Sequence, residues 1–134
     1  MSIYSNLIEE LGENSFEFDE PPAGVLNQAL NIYLHGNRNL TENSFHPNSG
    51  LDRIKRRVSL DLEYTGISSL PAPIFETFLD AHPGNSMDLL STPLICDGRV
   101  KWLKDRRAEF ENLVPYASCA NDPGQTIFNS TLVG

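Results

Sequence analysis

Three histidines, His35, His46 and His82, and the carboxylates of Asp61, Glu63 and Asp88 are the residues from which acid–base or metal chemistry would have to be built. Their spacing does not build it. Histidines that share a metal typically sit one helical turn apart, as in HExxH, or join paired CxxC units, and neither pattern occurs in the chain. A GxSxG nucleophile elbow and a glycine-rich phosphate loop are missing as well. The expectation is a protein with no catalytic residue, no metal and no cofactor, and so not an enzyme. The remaining reactive groups are Cys96 and Cys119. Their number alone allows a bridge in an oxidising compartment or two buried thiols in a reducing one.

The elements that would carry these side chains repeat. Leu60, Leu62, Thr65, Ile67, Leu70 and Phe75 follow the form LxLxxTxIxxLxxxxF, and the same offsets from the first residue give Met1, Ile3, Asn6, Ile8, Leu11 and Phe16. Ile32, Leu34 and Asn37 restart the pattern, with Leu40 and Phe45 out of register, and Met87, Leu89 and Thr92 restart it again. Alternating residues of a strand face opposite sides, so each LxL points one way as a short strand. Asn at the next fixed position can bond loop backbone through its amide, whereas Thr does so only in part. A looser ladder is therefore expected at Thr65 and Thr92. Pro71-Ala72-Pro73 argues against a regular helix in the returning arc, where extended or single-turn structure is expected.

The last strand pattern runs into Thr92-Pro93-Leu94-Ile95-Cys96-Asp97-Gly98-Arg99-Val100-Lys101-Trp102-Leu103, with Cys119 further on. This block resembles the C-terminal cap of extracellular leucine-rich-repeat proteins, of the form NPLxCDCxLxWL, which covers the last apolar layer of a stacked solenoid. In that family four cap cysteines form two bridges, first to third and second to fourth. Here Gly98 stands where the second would be and no fourth follows Cys119, so the resemblance implies that Cys96 and Cys119 bond to each other. It also implies a structural role for Trp102 as a lid on the last repeat. A helix is expected over 99–112, with Asp97 at its start, Val100, Leu103 and Phe110 on one face and Pro115 past its end. The stretch from Ile67 to Pro83 is similar to an ISxLPxxIFxxxLxxHP segment of secreted arthropod leucine-rich-repeat proteins known as the non-catalytic subunit of oplophorus-luciferin 2-monooxygenase. The similarity is close over most of 58–134 and loose over 1–57.

Ten Lys plus Arg against eighteen Asp plus Glu in 134 residues give a formal charge of −8, which opposes binding to nucleic acid or anionic lipid. The basic run Arg53-Ile54-Lys55-Arg56-Arg57 reads as solvated loop charge. No apolar run is long enough to span a membrane, and the N-terminus does not have the form of a signal peptide. With Met1 and Ile3 already in a strand pattern, the chain reads as the C-terminal part of a longer secreted protein or a truncated gene copy. Its uncapped N-terminal edge would be prone to self-association, and stability should fall from the C-terminal side toward the N-terminal one. Asn39-Leu40-Thr41 and Asn129-Ser130-Thr131 are glycosylation acceptors at Asn39 and Asn129, which fit a secreted chain.

The fold class expected is α/β: a short right-handed leucine-rich-repeat solenoid with parallel strands on the concave face and a C-terminal helical cap. Residues 1–91 would hold three to four repeats without an N-terminal cap, and 92–134 the C-terminal cap. In register, the strand residues pointing away from the core are Ser2, Tyr4 and Ser5, then Tyr33, His35 and Gly36, then Asp61, Glu63 and Tyr64, then Asp88, Leu90 and Ser91, and the binding strip is expected at Tyr4, Tyr33, His35, Asp61, Glu63, Tyr64 and Asp88. Tyrosines next to carboxylates suit a protein-binding strip with a preference for a basic partner. The functional expectation is a non-enzymatic extracellular protein-binding fragment. The rival is a small cytosolic α/β enzyme or immunity-type protein whose leucine pattern is coincidental, and a product with no specific contact is a third reading.

Overall fold

A computed structural model describes residues 11, 12, 16 and 29–131 of the chain. It is a mixed α/β fold around a small open parallel sheet of three strands, β1 (Leu30–Tyr33), β2 (Val58–Asp61) and β3 (Ser86–Asp88), in that spatial order. Ile32 pairs with Leu60, and Leu60 with Met87, so the apolar residues of each strand fall in line on the inner side. All three are at most 1 % exposed. Hydrogen bonding continues past the strand ends: Leu34 N–H donates to Asp61 O and Leu62 N–H to Asp88 O, both at 2.9 Å.

As the chain leaves each strand, one bond recurs. Asn37 Nδ2 donates to Leu34 O (2.8 Å), Thr65 Oγ1 to Leu62 O (2.9 Å) and Thr92 Oγ1 to Leu89 O (2.8 Å). The looser ladder expected at the threonines is not seen, because a hydroxyl reaches the carbonyl three residues back as well as an amide does. Leu40 and Phe45, out of register in the sequence, occupy the core column nonetheless. Phe45 lies between Phe16, at 6.5 Å between ring centroids, and Phe75, at 5.2 Å. The tight turn from Asn37 O to Leu40 N–H absorbs the shorter spacing. Gly66 fits against it, and a Cβ there would lie 2.5 Å from Arg38 O.

The arc between β2 and β3 differs from expectation: it is a ten-residue helix, α1 (Ala72–Ala81). Pro71 is its N-cap and Pro73 sits in its first turn. There a missing N–H costs nothing, since the first amides of a helix have no intrahelical partner. Phe75, Phe78 and Leu79, at helical spacing, turn inward and are buried. Asn85 ties the helix to the sheet: its Oδ1 accepts from Val58 N–H (2.7 Å) and its Nδ2 donates to Phe78 O (2.8 Å).

The single helix expected over 99–112 is broken into a 3-10 turn (Gly98–Val100), α2 (Lys101–Asp105) and α3 (Arg107–Phe110). Asp97 caps the first of these, accepting from Arg99 N–H at 2.9 Å. The break is at Arg106, with φ −105° and ψ 31°. Its guanidinium reaches Asp80 and Glu76 on α1 and Glu109 on α3, and stands 4.3 Å over the Phe110 ring. Those carboxylates push the Arg106 pKa further up, Glu109 most, then Asp80. Trp102 is partly buried and its indole N–H donates to Leu70 O at 2.7 Å. Leu113 O accepts from Met87 N–H at 2.9 Å, so the central amide on the outer edge of β3 has a partner. Leu94, Val100, Leu103, Phe110 and Ile127 share one core with the strands.

Cys96 and Cys119 are bonded, with Cα atoms 5.4 Å apart. Asn121 braces the same joint, its Oδ1 accepting from Cys96 N–H at 2.8 Å. Among the described residues no helix is long and apolar enough to cross a membrane. Tyr4 and the N-terminal strand positions Met1, Ile3, Asn6 and Ile8 lie outside the described residues, as does the N-terminal edge.

Candidate functional site

The outward side of the sheet is where the strand register gathers polar and aromatic residues. Tyr33 pairs with Asp61, and Asp61 with Asp88. One step further along, Gly36 N–H donates to Glu63 O (2.9 Å) and Tyr64 N–H to Leu90 O (3.1 Å). These bonds align His35, Glu63 and Leu90 in the next row. A parallel sheet repeats its side chains at strand spacing, so residues far apart in sequence become neighbours.

The carboxylates are fixed by local bonds. Asp61 Oδ1 accepts from Glu63 N–H at 3.0 Å, and its Oδ2 lies 3.0 Å from His35 Nδ1. Asp88 Oδ1 accepts from Leu90 N–H at 3.1 Å. Asp61, Glu63 and Asp88, all half-buried, can each offer an oxygen within 4.8 Å of the other two. A hydrogen bond with Asp88 raises the Glu63 pKa, partial burial and the charges of Asp88 and Asp61 add to it, and His35 opposes. A cation could be held here, but exposed acidic groups at such spacing are common without one.

The aromatic groups flank this centre. Tyr33 meets His35 edge-on at 6.3 Å, and Arg38 stands 5.5 Å over the Tyr64 ring. Tyr33, Tyr64 and Leu90 are 38 %, 43 % and 37 % exposed. Tyr64 and Ser91 have positive φ, 57° and 59°, at the position where the first strand unit has Gly36, with φ 80°. Left-handed backbone costs a residue with a Cβ roughly 1–2 kcal/mol, so a tyrosine there is held against preference.

Of the residues predicted for the strip, Tyr33, His35, Asp61, Glu63, Tyr64 and Asp88 come together on this face. The closeness of the three carboxylates is invisible in linear spacing and follows from strand register together with side-chain rotamer. Arg38 is a neighbour that the strand pattern does not include, since it lies beyond Asn37 in the loop. Asn39 and Asn129 are exposed. In the basic run Arg53, Lys55 and Arg57 are exposed, whereas Arg56 is half-buried and its guanidinium donates to Ala29 O at 3.3 Å. Comparison of the chain with family models, with curated proteins and with solved structures finds no match in any of the three.

Proposed function

We propose that the chain is an extracellular leucine-rich-repeat segment, non-enzymatic, that binds a protein partner through the outward face of β1, β2 and β3. The observation that carries the binding role is the sheet face itself: exposed Tyr33, Tyr64 and Leu90 beside half-buried carboxylates, with Tyr64 kept at a left-handed position that glycine would fill more easily. Large rigid side chains with polar tips give contact area at low entropic cost.

The repeat reading is supported by the recurring bond at Asn37, Thr65 and Thr92, by the Phe16, Phe45 and Phe75 column, and by the line of Ile32, Leu60 and Met87. The reading of 92–134 as a cap is supported by the Cys96–Cys119 bridge and by the bond from Met87 N–H on the outer edge of β3 to Leu113 O. The bridge is compatible with an extracellular location, where Asn39 and Asn129 would be open to glycosylation.

The test is a partner isolated by cross-linking from the secreted fraction and then measured against purified variants. Tyr33→Ala with Glu63→Ala should weaken it by about 1 kcal/mol or more, while Thr77→Ala on exposed α1 surface should not. Unchanged affinity in a folded double variant would place binding elsewhere.

A further inference from the structure

Two tetrads of the chain carry a basic residue at their first, third and fourth positions, Arg53-Ile54-Lys55-Arg56 and Lys104-Asp105-Arg106-Arg107. Three cations at that spacing suit an endoprotease cleft lined with carboxylates, which hold a guanidinium by paired, charge-assisted bonds. The structure tells the two tetrads apart. Lys104 to Arg107 spans the junction of α2 and α3 with its cations engaged: Lys104 Nζ donates to Ser130 O, Arg106 bonds Asp80, Glu76 and Glu109, and Arg107 pairs with Glu111 at 2.7 Å. In the first tetrad, Arg53 ends a 3-10 turn (Leu51–Arg53), Ile54 is extended with φ −73° and ψ 124°, and no helix or strand begins before Val58. Exposure alternates as along an extended segment, with Arg53, Lys55 and Arg57 exposed and Ile54 and Arg56 half-buried. Proteases take their substrates extended, and they nick exposed loops before regular elements. From this conformation and this spacing we infer that the Arg56–Arg57 bond is a processing site, cut by an arginine-directed endoprotease of the secretory route. The inference rests on the extracellular reading, which supplies such a protease.

The segment must open to be cut. Arg53 Nη2 donates to Asn48 O at 3.4 Å, Arg56 Nη2 donates to Ala29 O at 3.3 Å, and Leu30 N–H donates to Arg57 O at 2.8 Å. Ile54, packed against the core, must lift with them. Their release is a local opening of one loop rather than global unfolding. Hydrolysis then breaks the C–N bond between Arg56 and Arg57 and takes up one water, leaving a carboxylate on Arg56 and an amino group on Arg57. The cut falls between β1 and β2, while the Cys96–Cys119 bridge lies wholly beyond it. The two pieces still share the strand pairing from Leu30 with Val58 to Tyr33 with Asp61, the contact of Phe45 with Phe75, and the bonds from Ser68 and Ser69 to Glu42. The product is an assembled two-piece protein whose outward face is divided, Tyr33 and His35 on one piece and Asp61, Glu63 and Tyr64 on the other.

The experiment treats the disulfide-intact full chain with a furin-type convertase and follows the products by intact mass and N-terminal sequencing. One cut is expected, with a new N-terminus at Arg57, at a rate within about a hundredfold of that for a peptide of residues 48–60. Arg53→Ala should slow the cut about tenfold or more, the worth of one lost bond to a charged group. Arg56→Ala should abolish it, both variants keeping the parent circular dichroism. The cut protein should elute from gel filtration as one species of the uncut size and part into 1–56 and 57–134 only in denaturant. A folded chain left intact while the peptide is consumed, a first cut after Arg107, or a rate that rises only in step with global unfolding in urea overturns the site. Equal rates for Arg53→Ala and the parent overturn recognition through the tetrad, and pieces that part without denaturant overturn the assembled product. Each of these results leaves the outward face to be judged separately by the Tyr33 and Glu63 double variant.

Discussion

Replacing Cys96 and Cys119 together with alanine should cost about 3.4 kcal/mol of stability at 25 °C, from the chain-entropy relation applied to the 23-residue separation. The cross-link acts chiefly on the unfolded chain, which loses the freedom to separate residues 96 and 119. The folded joint should survive the change, because Ala120 N–H still donates to Leu94 O (2.7 Å) and Cys119 N–H to Gln125 O (2.9 Å). A loss of that size is a large share of the roughly 5–15 kcal/mol that holds a domain folded. Leu94, Val100, Leu103, Ala117 and Ile127 share the core of the strands, so unfolding should remain a single transition rather than a detachment of the C-terminal segment. The assay is urea unfolding of the oxidised protein and the double variant, followed by both fluorescence and circular dichroism. A larger m-value is expected for the variant, whose unfolded state exposes more surface. A loss under about 1 kcal/mol would refute the reasoning, since it would mean that the unfolded chain already keeps this loop closed.

Thiol titration of denatured, unreduced protein from an oxidising compartment should find no free cysteine; two would contradict the bridge. Asn85→Ala should cost about 2–4 kcal/mol, because Val58 N–H and Phe78 O would both be left buried without partners, and chemical denaturation measures it. Gly66→Ala should cost about 1–3 kcal/mol, since the Cβ would meet the backbone oxygen of Arg38 at 2.5 Å, and an unchanged melting temperature would contradict the packing. Burial raises the Glu42 pKa, but hydrogen bonds from Ser68 and Ser69 outweigh it and hold the carboxyl below its ordinary value. The stability this gives is complete above the ordinary carboxylate range and is lost as pH falls through the lowered value, so Glu42→Gln should flatten the acid side of a stability profile between about pH 5 and pH 2. An identical acid slope in the variant would rule that contribution out.

Period-two leucines and the block around Cys96 suffice to place β1, β2 and β3, because a strand with one buried face writes its orientation directly into alternate residues. Ile32, Leu60 and Met87 mark those faces, and the register aligns all three. The arc at 71–81 was less legible. Proline reads as a helix breaker until its place relative to the helix start is known, and here Pro71 is the N-cap of α1 and Pro73 lies in its first turn. The break at Arg106 was equally hidden, and so were the contacts its guanidinium makes there with Asp80 and Glu76 on another element.

The sequence by itself determined which residues of the three strands face inward and which side chains alternate with them toward the outward face, since these depend on local two-residue periodicity. Only the tertiary structure decided that Asp61, Glu63 and Asp88 draw close, that Arg38 covers Tyr64 and that Phe45 completes an aromatic column despite its shifted spacing. Distances between side chains on neighbouring strands follow from register and rotamer, and charges act through space, so linear spacing carries no record of either.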